Sequence, residues 1–138
     1  MIHDPNDSEL NDLRMSPEGR VLYDRVSRFV TEEVDPITEQ FYAMGEGRED
    51  RWSYAPGQLE LLESVKDKAR EQGLWNFFLP EAESGEGLKN LDYDFIAGVL
   101  GGSQLASECR NCSGPDTGNM EVRERVGSTA SEPQRLAA

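Results

Sequence analysis

Basic residues are scarce in this chain. Its 138 residues carry 14 Lys+Arg against 27 Asp+Glu, for a formal charge of −13 and a pI near 4.4. A phosphate backbone is gripped by clustered Lys and Arg that displace its counterions, so this balance argues against nucleic acid as a partner. Long apolar runs are lacking as well, and none approaches the roughly 20 residues that cross a bilayer. The opening Met1-Ile2-His3-Asp4-Pro5-Asn6-Asp7 has neither the basic and apolar regions of a secretory leader nor the Arg-rich, acid-poor character of a mitochondrial one. The expectation is a cytoplasmic protein without a membrane partner. A single histidine, His3, and two cysteines supply too few ligands for a tetrahedral metal site, so no metal is expected. The chain also lacks a GxGxxG and a phosphate-loop Lys-Ser/Thr pair, which leaves Ser84-Gly85-Glu86-Gly87 as a plain loop. Apolar residues are only 36% of the chain and mean hydropathy is −0.67. A domain this small buries a modest fraction of its surface. The core should therefore be thin, or completed by a neighbour.

What the chain does have is helical periodicity. Ser16-Pro17-Glu18 predicts a helix start: the serine oxygen can accept from free backbone N–H groups, proline fits the first turn, and glutamate complements the positive end of the dipole. Leu22, Val26, Phe29, Val30, Val34, Ile37, Phe41 and Met44 then recur at steps of three and four, as one buried stripe of a helix over 17–44. Pro36 lies inside that stripe and removes one backbone hydrogen bond, which predicts a kink or break near Val34–Asp35. Pro56 can open a second helix over 56–72, with Leu59, Leu62, Val65 and Ala69 inward and a left-handed cap at Gly73-Leu74. The aromatic run Leu74-Trp75-Asn76-Phe77-Phe78-Leu79-Pro80 reads as a buried connector, since Pro80 and the flanking helices disfavour a strand. A third helix over 91–101, capped by Asn90, should bury Phe95, Ile96, Val99 and Leu100, and two shorter helices should cover 105–112 and 117–126. The fold class is thus all-α, a bundle of about five helices at 16–127. A polar tail over 1–15 precedes it, and an untied, disordered tail over 128–138 follows. Acidity is concentrated early: residues 1–50 hold 13 acids and 5 bases.

Cys109 and Cys112 form a lone Cys-x-x-Cys around Arg110 and Asn111. A redox pair would follow a strand and open a helix. No β-rich run precedes this one, so two reduced thiols one turn apart is the plainer reading, with thiol–disulfide exchange as its alternative.

Three stretches carry a resemblance. They are Phe29-Val30-Thr31-Glu32-Glu33-Val34-Asp35-Pro36, Gly73 to Pro80, and Asn111-Cys112-Ser113-Gly114-Pro115-Asp116-Thr117-Gly118-Asn119-Met120-Glu121-Val122. Together they resemble the N-terminal helical domain of the acyl-CoA dehydrogenase family, in its branch of long- or unusual-chain members, over about residues 18–127. The last stretch is the most specific. The resemblance implies an enzyme with a helical, a β and a C-terminal four-helix domain, and flavin adenine dinucleotide (FAD) between the latter two. It implies a carboxylate base in the C-terminal domain that removes the α-proton of an acyl-CoA while flavin N5 accepts the β-hydride. No catalytic and no cofactor-binding residue is assignable within this chain. It is expected to be inactive alone and to supply one wall of the acyl-chain pocket, with Asp116, Thr117 and Met120 as pocket candidates.

The same residues have plainer roles. Asp116 or Thr117 can serve as an N-cap, Met120 as core filling, and Trp75, Phe77 and Phe78 as core rather than site. In this family the second cysteine belongs to the motif, which gives Cys112 a packing role. Arg123 stands where the family has an apolar residue, and the pattern is lost after Gly127-Ser128, which predicts a truncated or frameshifted frame. Expected partners are acyl-CoA in the complete enzyme and either the remaining dehydrogenase domains or further copies of the chain. The competing reading is a non-catalytic helical module that docks on a larger partner through exposed apolar faces.

Overall fold

The computed structural model describes residues 14–50, 52–79, 86–112 and 116–126. The two predicted tails lie largely outside that range, as do Pro80, Ser84 and Gly85. Six α-helices follow in order: α1 (Pro17–Phe29), α2 (Asp35–Gly45), α3 (Gln58–Glu71), α4 (Asn90–Gly101), α5 (Gln104–Glu108) and α6 (Asp116–Val126). Among the described residues there is no strand. The first two helices form one rod, joined by a π-helical turn at Val30–Val34, so the bundle of about five helices is what is observed.

Next to Pro36 the α-helical pattern is interrupted, as expected near Val34–Asp35, by the π-helical turn, and the rod continues through it. A proline lacks the N–H that would bond four residues back, and its ring crowds that carbonyl. The wider π turn just ahead of it accommodates the defect: the Asp35 N–H reaches back to the Val30 carbonyl, and the Thr38 hydroxyl donates to the Val34 carbonyl at 2.8 Å. Ser16 caps α1 as its position predicts, accepting from the Gly19 N–H at 3.0 Å. Its hydroxyl also donates to Asp92 Oδ2, and its own N–H donates to Asp92 Oδ1, both at 2.7 Å. The start of α1 is thereby tied to the first turn of α4, the helix it packs against.

Two details of the helices differ from expectation. Helix α3 begins at Gln58 rather than at Pro56, because Pro56-Gly57 forms a turn with Gly57 at φ 83°, a conformation glycine tolerates. Gln58 rather than Leu59 then faces inward: its Oε1 accepts from the Ala55 N–H at 2.8 Å and its Nε2 donates to the Phe41 carbonyl at 2.9 Å, while Leu59 is exposed. In α4 the inner face is Asp92, Ile96 and Leu100, spaced four apart, which rotates Phe95 to the outside. Lys89 precedes that helix with no side-chain capping bond, so Asn90 is its first residue and not its cap. Gly73 behaves as predicted: at φ 66° it closes α3, its N–H bonding the Arg70 carbonyl and that of Leu74 the Ala69 carbonyl.

One core joins these elements. Val26, Phe29 and Val34 from the rod meet Leu62, Val65 and Ala69 from α3, Leu74, Phe77 and Leu79 from the connector, Ile96 from α4, and Leu105 and Ala106 from α5. Each of the larger side chains contributes on the order of 1.5–3 kcal/mol by leaving water. The aromatic run is a connector as read, since Leu74, Phe77, Phe78 and Leu79 are all buried core.

Candidate functional site

The most specific stretch of the sequence begins at the turn after α5. There Asn111 adopts φ 57° and Asn76 in the connector φ 58°, the left-handed region that asparagine tolerates better than most residues. Asn111 Nδ2 donates to Asn76 Oδ1 at 2.7 Å, so two turns distant in sequence are pinned to each other. Helix α6 carries Met120, which is buried in the same core cluster as Cys112. Asp116 and Thr117 form the first turn of α6, and their side chains lie outside the described residues. Of the three pocket candidates, Met120 is thus placed in packed core. Arg123 is exposed on α6.

Under this turn sits Arg110, with no exposed surface. Nη1 donates to the Ala106 carbonyl at 3.2 Å and Nη2 to the Val26 carbonyl at 3.3 Å, while the guanidinium carbon lies 4.5 Å from the centre of the Phe29 ring. Nε has no acceptor. Among the described residues no carboxylate pairs with it, and burial brings its pKa down to about 10. Buried arginines ordinarily have an ionic partner. Nothing local in the sequence marks this one, which reads as a spacer between two cysteines.

Both cysteines are buried and free. Burial pushes the Cys109 thiol up to about 11, against the opposing pull of Arg110, and the Cys112 thiol up to about 12. A nucleophilic or exchange-active cysteine requires the opposite displacement, toward thiolate. Both thiols are therefore packed in the core and held toward the protonated form, away from the thiolate that exchange requires. Tyr93 of α4, half-buried with its ring centre 6.4 Å from that of Phe77, is pushed up to about 12 by burial first and then by the charges of Cys112, Glu121 and Asp94.

The described surface grooves lie elsewhere. One, of about 820 Å³, runs between the start of α1 and the outer face of α4, lined among others by Arg14, Met15, Arg20, Tyr23, Phe95 and Val99. Arg20 in this groove is ion-paired with Asp24 at 3.3 Å.

Comparison with known proteins settles the lineage. The chain is 40% identical to acyl-CoA dehydrogenase family member 10 of Mus musculus over 90% of its own length, and 36% identical to family member 11 of Gallus gallus over 88%. Its fold superposes on a solved acyl-CoA dehydrogenase-type chain from Mycobacterium abscessus with a TM-score of 0.75 and 36% identity, over 90% of this chain. Homologues named as acyl-CoA dehydrogenase family members thus match nearly the whole of this chain. No family model matches it. It spans 12% and 15% of the two vertebrate relatives and 31% of the mycobacterial chain, so it corresponds to a part of such proteins. Within the family that part is the N-terminal helical domain, which accounts for an all-helical fold. Among the described residues no helix is long and apolar enough to cross a membrane.

Proposed function

We propose that residues 16–127 act as the N-terminal helical domain of an FAD-dependent acyl-CoA dehydrogenase, with Asn111–Met120 forming one wall of the acyl-chain pocket. Asp116 and Thr117 are its proposed contributors to that wall, while Met120, also a pocket candidate by sequence, packs in the core. The observation that carries the reading is the superposition over 90% of this chain onto only 31% of the mycobacterial one. The surface supports it: Val122 and Val126 on α6 are 60% and 77% exposed, and Val21 on α1 is 63% exposed. Apolar side chains left open on helices are what a domain shows toward neighbours it packs against. When bound in the complete enzyme, FAD supplies the hydride acceptor. This chain's part is to position the acyl tail and exclude water from it, and it is inactive alone because the resemblance places the catalytic carboxylate and most of the flavin site in the other domains of the complete enzyme.

The test is complementation. The chain is mixed with the β and C-terminal domains of a family member expressed without its own helical domain, and acyl-CoA-dependent dye reduction is followed. The expected result is no turnover by the chain alone, turnover by the mixture, and weaker complementation by Val122→Glu with Val126→Glu. Turnover by the chain alone overturns the inactivity. A stable complex without turnover favours the non-catalytic docking module in place of the dehydrogenase domain.

A further inference from the structure

Among the described residues only two that are not glycine hold positive φ, Asn76 at 58° and Asn111 at 57°, and these two are hydrogen-bonded to each other. Asn111 takes the left-handed position that ends α5: its N–H bonds the Glu108 carbonyl at 3.4 Å, and the Cys112 N–H bonds the Ser107 carbonyl at 3.0 Å. Gly73 closes α3 through the same pair of bonds, and glycine is the usual residue there because it has no Cβ to crowd the backbone. Asn76 opens the turn that the Leu79 N–H closes on its carbonyl at 3.1 Å. At both places asparagine holds a conformation that costs glycine less, so the side chain is what these positions require.

What the side chains do is join two turns 35 positions apart. Asn111 Nδ2 donates to Asn76 Oδ1 at 2.7 Å, and Asn76 is only 3% exposed. The bond ties the aromatic connector to the residue from which the chain leaves α5 on its way to α6. Cohesion does not depend on it, since Phe77 and Leu79 on one side and Cys112 and Met120 on the other already share the core. Apolar packing is non-directional, however, and a hydrogen bond is not. At 3.4 Å the Asn111 N–H is a weak closure by itself, which leaves the side-chain bond to aim the departing chain.

We propose that Asn76 and Asn111 are positioning residues for the acyl-chain wall: their bond sets the direction in which the chain leaves α5, and with it the placement of the first turn of α6. This role rests on the dehydrogenase reading above. Neither residue touches substrate in it. A displaced wall weakens the hold on the acyl tail in the ground and transition states alike, which raises KM and leaves kcat in place. A long tail runs along the wall and a short one does not, so the effect grows with chain length.

The complementation mixture supplies the test, with butyryl-CoA and palmitoyl-CoA as the two probes. Asn76→Gly and Asn111→Gly each delete the bond while the left-handed backbone stays free of strain. Either should raise KM for palmitoyl-CoA about tenfold, the factor that goes with one buried hydrogen bond, with kcat and the KM for butyryl-CoA within about twofold. The double variant should be no worse than either single one, because both remove the same interaction. Circular dichroism of the full 138-residue chain checks folding, and Asn111→Gly, at a half-buried position, carries the test should Asn76→Gly fail to fold. An equal rise in KM for both probes, an unchanged KM for palmitoyl-CoA, additive effects, or loss of the fold in both single variants overturns the positioning role while the dehydrogenase reading stands. No turnover with the unaltered chain overturns that reading, and the positioning role with it.

Discussion

Replacing Gly19 by alanine puts the tie between α1 and α4 under direct strain. A Cβ built at Gly19 lies 2.4 Å from Asp92 Cγ, 2.6 Å from Oδ1 and 2.7 Å from Cβ, inside van der Waals contact for all three. Asp92 has little freedom to withdraw, because it is 3% exposed and its two oxygens accept from the Ser16 N–H and hydroxyl at 2.7 Å. A hydrogen bond to a charged group contributes about 1.5–3 kcal/mol. Displacing the carboxylate weakens both bonds and loosens the Ser16 cap. Against this stands only the helical preference for alanine over glycine, about 1 kcal/mol. The expected net loss for Gly19→Ala is about 2–4 kcal/mol, read as a lower urea midpoint by far-UV circular dichroism. Asp92→Gly removes all three offending atoms, so in that background the same alanine should raise stability by up to about 1 kcal/mol. The sign reversal is the signature. If Gly19→Ala stabilises the unaltered chain, or destabilises both backgrounds equally, the reasoning fails.

Two further outcomes follow from the buried titratable groups. Arg110→Met should stabilise the fold by about 1–3 kcal/mol, since a buried guanidinium without a carboxylate is at full cost at every pH below its lowered pKa of about 10; a large drop in the urea midpoint would contradict this. Cys109 and Cys112, raised from 9.0 to about 11 and about 12, keep their protons in the folded state where the unfolded chain has lost them, so the stability they give below pH 9 is lost as pH climbs toward 11–12. Between about pH 9 and 10 the two thiols outweigh the partial offset from Arg110, so the urea midpoint should already fall there; a midpoint unchanged from about pH 8 to 10 argues against the thiol burial described.

Features written in neighbouring residues were legible in the sequence. Ser16-Pro17-Glu18 starts α1 where its cap chemistry places it, and Gly73-Leu74 closes α3 with the expected pair of backbone bonds. The aromatic connector was legible too, since proline and helical flanks bear on the same few residues. What escaped was set by contacts between distant segments. Phe95 and Ile96 are equally apolar, and only the direction from which α1 approaches decides that Ile96 is inside. Arg110 looks like a solvent-facing spacer until Phe29, Val26 and Ala106 close around it. Asp92 reads as a first-turn acid of its own helix, yet its oxygens serve another. The consequence of Pro36 was half legible: an interruption near Val34–Asp35 follows from the missing N–H, but its form, a π turn ahead of the proline, does not.

The Asp92–Ser16 connection also bears on the order in which the chain can become ordered. Ribosomal synthesis delivers residues from the N-terminus, and the group that secures Ser16 lies 76 positions later. The first helix can wind as soon as it emerges, but its leading turn stays free to fray until α4 exists and docks. Closing so long a loop is an entropic step taken only once the intervening hydrophobic contacts reward it. The beginning of the fold is therefore among its last parts to close, and a nascent chain released before Asp92 would carry the apolar stripe of the rod without the anchor that seals its end.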